Sequence, residues 1–449
     1  MSAVSGEHGA HADIMPGVTH DTYAVIGAGP SGLAAARTLQ KAGLPWEGYE
    51  LASGVGGLWD IDGPRSTVYE SAHLISSKRT TEFTEFPMRD EVADYPSHRE
   101  LLTYFRDFAA AHSLADGFTF ETEVVEARPS GDGGWVVVSD GPGGRQERRH
   151  AGVLVANGTL SEPSVPTFPG SFDGEVFHTS AYKSPTVFAG KRVLIIGAGN
   201  SGCDIAVDAV HHAASVDLSV RRGYYFVPKY LFGKPADTLN QGKPLPPRIK
   251  QAIDSRVLKL FTGDPVKFGF PKPDYKIYES HPIVNSLVLH HLGHGDLSVR
   301  KDVRRLDGRS VEFVDGSRHA YDVIVLATGY HLHYPFLDPA LLRWQGRGSA
   351  PDLYLNIFTQ EDPNLFVLGM IEASGIGWQG RYEQAELVAA YLAARTSAPD
   401  AARALEARIA GPRPDLSGGY RYLGLERMSY YVNKDAYRSA VRAEIERLR

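Results

Sequence analysis

Short uninterrupted apolar runs punctuate this chain, and between them the apolar positions recur with a helical period. Tyr23-Ala24-Val25-Ile26 leads into a stretch from Ser31 to Ala42 with small and apolar residues at helical spacing, then into a strand pattern ending at Glu50. Val153 to Gly158, Val323 to Gly329 and Asn364 to Gly369 are further apolar runs, and Val216 to Val220 leads into Arg221-Arg222. Such runs predict parallel strands covered on both faces, since a half-exposed strand alternates. Helices are expected near 31–42, 248–260 and 383–395, and the charged stretch Asp435 to Arg449 reads as a solvated helix. Pro, Lys and Gly break any period between Pro228 and Pro273, so irregular connections are expected around the helix there. Alternation of strand and helix predicts an α/β fold.

Two turns of the form Gly-x-Gly-x-x-Gly give that alternation a chemical meaning. Gly27-Ala28-Gly29-Pro30-Ser31-Gly32 and Gly197-Ala198-Gly199-Asn200-Ser201-Gly202 each leave an apolar strand and enter an Ala-rich helix. The first glycine of such a motif makes the turn, the second lets backbone N–H groups approach a pyrophosphate, and the third lets helix and strand pack closely. The pyrophosphate rests on the helix N-terminus. Two turns imply two dinucleotides.

The two halves differ at the ribose-binding position. Glu50 lies 23 residues past Gly27, where a carboxylate accepts from ribose hydroxyls and repels a 2′-phosphate, which suits FAD or NAD. Arg221, with Arg222 beside it, lies 24 residues past Gly197. A guanidinium there pairs with a 2′-phosphate, and a charge-assisted bond of roughly 1.5–3 kcal/mol gives about a ten- to hundredfold preference for NADPH over NADH. A solvated basic loop is the alternative reading of the arginine pair.

The expected architecture is therefore two Rossmann-like dinucleotide-binding domains. Residues 21–160 form the first part of one nucleotide domain, 161–325 an inserted second domain that suits NADPH, and 326–449 the returning part of the first domain with C-terminal helices. Residues 1–20 read as a flexible tail, without the basic start and apolar core of a leader. With 449 residues and a net charge of −6, the chain fits two domains and has no electrostatic footprint for nucleic acid. No run is long and apolar enough to span a bilayer, so a cytoplasmic, membrane-free protein is expected, and a homo-oligomer is compatible with it. Cys203 is the single cysteine, which removes the internal cysteine pair that a flavin disulfide reductase needs.

Between the two glycine turns, Phe172-Asp173-Gly174-Glu175-Val176-Phe177-His178-Thr179-Ser180-Ala181-Tyr182-Lys183 matches F-x-G-x(3)-H-x(3)-[YF]-[KR]. This resembles the fingerprint of flavin-containing monooxygenases. Baeyer–Villiger relatives carry Trp and then Pro or Asp where this chain has Tyr182 and Lys183. Gly56-Gly57-Leu58-Trp59 and Ala327-Thr328-Gly329-Tyr330 also look like family motifs, and the resemblance runs from Tyr23 to Leu392. It implies bound FAD reduced by NADPH, addition of O2 to give a C4a-peroxyflavin, and oxygen transfer to an amine nitrogen or sulfide sulfur of a small molecule. Ketone oxygenation, and an uncoupled NADPH oxidase or NADPH-sensing protein, are the alternatives. The FAD-binding set expected from the resemblance and the first turn includes Gly57, Leu58, Trp59 and Gln384.

The resemblance singles out no catalytic side chain, because the flavin carries the chemistry. His178, Tyr182 and Lys183 fit either a catalytic set or hydrogen-bonding anchors that fix two domains at one angle, and the anchoring reading is preferred. Many relatives have an asparagine where Ile75 stands, three residues before Lys78. A slip of one residue puts Ser76 there, so Ile75 and Ser76 are the pocket candidates, and weaker coupling of NADPH use to product is expected. His290, His291, His294 and Asp296 have metal-like spacing but read as a helix end, so no metal is expected. Tyr224-Tyr225-Phe226 reads as packing.

Overall fold

Two parallel five-stranded sheets organise the chain, and their strand orders correspond. The computed structural model describes residues 21–240 and 245–449, so the tail expected over 1–20 lies outside the described residues. The first sheet runs Leu365–Val367, Gly152–Val155, Tyr23–Ile26, Trp46–Tyr49, Phe118–Thr119. The second runs Glu175–His178, Val323–Leu326, Arg192–Ile196, Ser215–Ser219, Leu297–Arg300. Each half carries a three-stranded antiparallel ribbon: Glu123–Pro129, Trp135–Gly141, Gly144–His150 between the strands Phe118–Thr119 and Gly152–Val155 in one, and Val303–Gly308, Ser310–Phe313, Arg318–Ala320 between Leu297–Arg300 and Val323–Leu326 in the other. The central strands are buried on both faces, which is why their sequences do not alternate.

Every strand of the second sheet lies between Glu175 and Leu326, whereas the first sheet takes strands from before and after that interval. The second unit is thus inserted into the first. The outgoing and returning segments pair as a short antiparallel ribbon, Glu162–Pro163 against Tyr330–His331. A hydrogen bond from the Ser164 N–H to the Gly329 carbonyl, 2.9 Å, extends the pairing.

Helices occupy Pro30–Lys41 and Asn200–Val210, directly after the two glycine turns. The helix expected near 383 begins earlier and spans Gly377–Ser397, because Gly377 and Gly380 are weak helix formers that hide its first turns. The C-terminal helix, Lys434–Leu448, corrects the expectation of a solvated element. Tyr437, Val441, Ile445 and Leu448 recur at helical spacing and are buried in the core that also holds the Gly377–Ser397 helix. The three aliphatic side chains among them each contribute about 1.5–3 kcal/mol when buried. Its charged residues serve the same packing: Arg438 and Arg442 both donate to buried Glu383, at 2.5 and 2.7 Å. This docking carries the N-terminal end of the helix to the wall of the cavity described next.

Candidate functional site

The two glycine turns have the same stereochemistry. Gly27 and Gly197 adopt φ of +103° and +106°, and a Cβ at either would stand 2.7 or 2.4 Å from a carbonyl oxygen of the neighbouring strand end. A Cβ on Gly32 would lie 1.7 Å from the Gly27 oxygen, and one on Gly202 2.0 Å from the Gly197 oxygen. The middle glycines differ: Gly199 has nothing within 4 Å of its Cβ direction, and Gly29 faces only Gly57, at 3.5 Å. Both helices that follow lack a side-chain cap and an acidic first turn, so their leading N–H groups are unspent. Open backbone at an uncapped helix start fits a pyrophosphate at each turn.

Around the first turn, Glu50 accepts from the N–H groups of Ala28 at 2.6 Å and Ala52 at 2.8 Å. Burial raises its pKa, and those N–H groups oppose the shift. The Gly57–Trp59 turn packs on Gly29. Gln384 is fully buried with both amide ends in use: its oxygen accepts from the Gly369 N–H at 2.9 Å, and its nitrogen donates to Tyr437 at 2.7 Å. Around the second turn, Arg221 and Arg222 are exposed just past the strand Ser215–Ser219. Asn200 is held by the 282–284 loop, accepting from the Val284 N–H at 2.7 Å.

A cavity of about 1290 Å³ opens between the two units. Leu58, Trp59, Ile75 and Ser76 line it, as do Gly199 to Gly202; Gly27, Gly29, Pro30, Ser31, Gly32, Glu50 and Gln384 do not. The first turn and its acid therefore lie away from the space that the second turn enters. Ser76 shares a hydrogen bond with Thr81, 2.7 Å, while Ile75 brings an aliphatic side chain to the wall. Lys78 is buried with its ammonium donating to the carbonyls of Arg89, Asp90 and Val92, which fixes this segment.

The fingerprint residues stitch the units together. Phe172 folds over Gly174, where a Cβ would meet its ring at 2.5 Å. His178 Nδ1 accepts from the Ser180 N–H at 3.1 Å, which leaves the proton on Nε2 to donate to the Gly329 carbonyl at 3.0 Å. Burial lowers the His178 pKa, keeping the ring neutral. The Tyr182 hydroxyl donates to Asp208 at 2.9 Å, and Lys183 Nζ donates to the carbonyls of Ser66 at 2.9 Å and Val68 at 3.1 Å.

Two groups absent from the sequence-based expectations complete this seam. Asp204 accepts from Tyr69 at 3.1 Å and from Asn285, and burial raises its pKa against those bonds. Asp208 also accepts from Ser71. Both acids lie on the Asn200–Val210 helix, on the side facing the 66–73 loop. Their spacing of four was readable, but only the fold reveals what they face.

Elsewhere, His291, His294 and Asp296 bring ligand atoms within 4.8 Å of one another at the end of the Leu287–His294 helix, with Asp296 engaged by His291 at 3.0 Å. Cys203 is fully buried in the Asn200–Val210 helix, where desolvation raises its thiol pKa. Phe226 is buried against Phe270, with ring centroids 5.2 Å apart. Among the described residues no helix is long and apolar enough to cross a membrane.

The flavin-binding monooxygenase-like family profile matches residues 20–409. The chain belongs to that family. It is an FAD-dependent monooxygenase that uses NADPH and O2 on small molecules. Mouse flavin-containing monooxygenase 5 is 32% identical over 376 residues, covering 78% of this chain and 69% of the relative. Among solved structures, S-allyl-L-cysteine S-oxygenase from Allium sativum superposes with a TM-score of 0.65 at 21% identity, covering 95% of this chain and 88% of that one. An open cyclohexanone monooxygenase gives a TM-score of 0.69 at 21% identity, covering 95% and 98%. At these identities the structural likeness establishes the shared two-domain fold.

Proposed function

We propose that this monooxygenase oxygenates a soft nucleophile, a sulfide sulfur or an amine nitrogen, of a small molecule. For a sulfide, one sulfide, O2, NADPH and H⁺ give one sulfoxide, NADP⁺ and water. FAD, when bound, takes the hydride of NADPH and activates O2. The chain's residues bind, orient and exclude water.

Gly27, Gly29, Pro30, Ser31 and Gly32 with Glu50 would hold FAD, and Gly57 to Trp59 would carry it to the cavity. Gln384 would act on that site through Gly369, since both its ends are taken. Gly197, Gly199, Asn200, Ser201 and Gly202 would hold the NADPH pyrophosphate, with Arg221 and Arg222 on the 2′-phosphate. His178, Tyr182 and Lys183 would be positioning anchors that set the angle between the two nucleotides.

The observation that carries heteroatom over ketone chemistry is the use made of Tyr182 and Lys183. The phenol reaches Asp208 and the ammonium reaches two carbonyls of the 66–68 loop. Pro or Asp in place of Lys183 has no side-chain donor for those two carbonyls, so the Lys183 bonds are the ones the alternative pair cannot make. The fold-level likeness to cyclohexanone monooxygenase keeps Baeyer–Villiger oxygenation as the second reading.

The test supplies ¹⁸O2 and NADPH with an alkyl sulfide, a tertiary amine and a cyclic ketone in separate reactions. One labelled oxygen in a sulfoxide or N-oxide supports the proposal. A labelled ester from the ketone alone overturns it, and hydrogen peroxide with no labelled product marks an uncoupled oxidase.

A further inference from the structure

The histidines that close the Leu287–His294 helix read in sequence as a helix end. The fold changes that reading by bringing a residue from another part of the chain beside them. His211 caps the C-terminus of the Asn200–Val210 helix, and its ring meets that of His291 at 80° with centroids 5.2 Å apart.

The other three groups come from a single turn of chain. His291 and His294 are three residues apart on the last turn of their helix, so they share a face. Gly295 follows in the left-handed region, with φ of +82°, and turns the chain back until the Asp296 N–H donates to the His291 carbonyl at 3.0 Å. Asp296 Oδ2 then lies 3.0 Å from His291 Nδ1 and 3.7 Å from His294 Nδ1. Among the described residues, those two rings are the ion-pair partners of Asp296. Its pKa is lowered by the hydrogen bond from His291 and then by charge on His291, His294 and His211, so all three rings act on one carboxylate.

These separations suit a tetrahedral metal ion. Bonds of about 2.0–2.1 Å to nitrogen and oxygen set neighbouring donor atoms about 3.3 Å apart and imidazole centroids about 5 Å apart. The two donor pairs at Asp296 straddle the first value, and the His211–His291 rings meet the second. The His291–His294 centroids, at 6.2 Å, are wider, and His294 is exposed enough, at 69%, to rotate inward. Both helices end here, where the partial negative charge of their last carbonyls favours a cation.

We infer that His291, His294 and Asp296, with His211 as the fourth ligand, bind one divalent ion of the zinc type. Three imidazoles and one carboxylate suit Zn²⁺ over Ca²⁺ or Mg²⁺, which take oxygen sets. The ion replaces the proton between His291 Nδ1 and Asp296 Oδ2. It ties the ends of two helices to the edge strand Leu297–Arg300, which starts one residue after Asp296. None of the four residues lines the cavity, and the second glycine turn stands at the other end of the Asn200–Val210 helix, about 16 Å away. The ion is therefore a clamp on the inserted unit, set apart from the oxygenation chemistry.

The test titrates the full-length holoenzyme, stripped with EDTA and exchanged into chelator-free buffer, with ZnCl2 by calorimetry, beside His211→Ala, His291→Ala and His294→Ala. His8, His11 and His20 are common to all four proteins, so a difference belongs to this cluster. The wild-type chain should take up one Zn²⁺ here, with a Kd that rises about tenfold or more in each variant, since loss even of a ligand's supporting partner costs that much. Zn²⁺ should raise the melting midpoint of the wild-type protein and not of the variants. Co²⁺ in its place should show the visible d–d bands of a four-coordinate ion. NADPH oxidation measured without added metal should be the same in all four proteins. Unchanged Zn²⁺ affinity in any of the three variants overturns the assignment.

Discussion

His178 Nε2 and the Gly329 carbonyl lie 3.0 Å apart, and the same oxygen accepts the Ser164 N–H. One carbonyl thus joins the end of an inserted strand to both segments by which the chain leaves and re-enters the first unit. A shift there alters the angle between the two nucleotide sites without touching either.

His178→Ala is expected to lower the ratio of product formed to NADPH consumed, or the flavin retained, before it slows flavin reduction. Loss of a buried hydrogen bond costs about 1–3 kcal/mol, enough to loosen an angle without unfolding a two-sheet protein. Flavin content, anaerobic reduction rate and peroxide yield are the readouts. Normal coupling with normal flavin content would remove the anchoring role.

Arg221→Ala should raise KM for NADPH by about ten- to hundredfold and leave KM for NADH nearly unchanged, because only the 2′-phosphate pairs with the guanidinium. Steady-state kinetics with both nucleotides decide it. Equal losses for the two would return Arg221 to the solvated basic loop.

Gly199→Ala and Gly202→Ala separate binding from packing. A Cβ at 202 would stand 2.0 Å from the Gly197 oxygen, so that variant should lose thermal stability or fail to fold. A Cβ at 199 meets no protein atom within 4 Å, so that variant should melt normally and bind NADPH weakly. Thermal melts with and without NADP⁺ test both.

Ile75→Asn should raise coupling and reduce hydrogen peroxide released per NADPH. Ile75 brings only an aliphatic group to the cavity wall, where an amide can donate and accept. Unchanged peroxide yield would show that Ser76 or another group already does this work.

Stability should rise with pH between about 4 and 6.5 and level off above that. Burial lowers the pKa of His98, His112, His150, His178 and His281 in the fold, the last to about 4 from 6.5. In that window the unfolded chain binds more protons than the folded one, so acid favours unfolding. His281 alone contributes about 3 kcal/mol to this slope. Melting midpoints of the holoenzyme across the range should follow it, and a flat profile would mean that these rings are hydrated.

Much of the fold was legible because its signals are local. The glycine turns, the buried runs after them, and the placing of Glu50 and Arg221 past their turns depend on spacing within a single βαβ unit. The wall that faces the ligand was not legible. Asp237 and His281, on the cavity wall, are held by Ser77, Thr80 and Tyr431, partners 150 to 160 residues distant in the chain, and no local period marks them. The C-terminal helix misled for a related reason. Its charged residues are as many as its apolar ones, of which three are only alanines, and the pairing of Arg438 and Arg442 with buried Glu383 reveals that these charges belong to packing.

The family profile ends at 409, yet Tyr420, Tyr422, Tyr431 and Lys434 line the cavity. Part of the cavity wall is therefore written in a stretch that the family profile does not read, while the rest of it shares residues 20–409 with the glycine turns. Sequence drift at Tyr420, Tyr422 and Lys434 can reshape that part of the wall while both turns stay as they are.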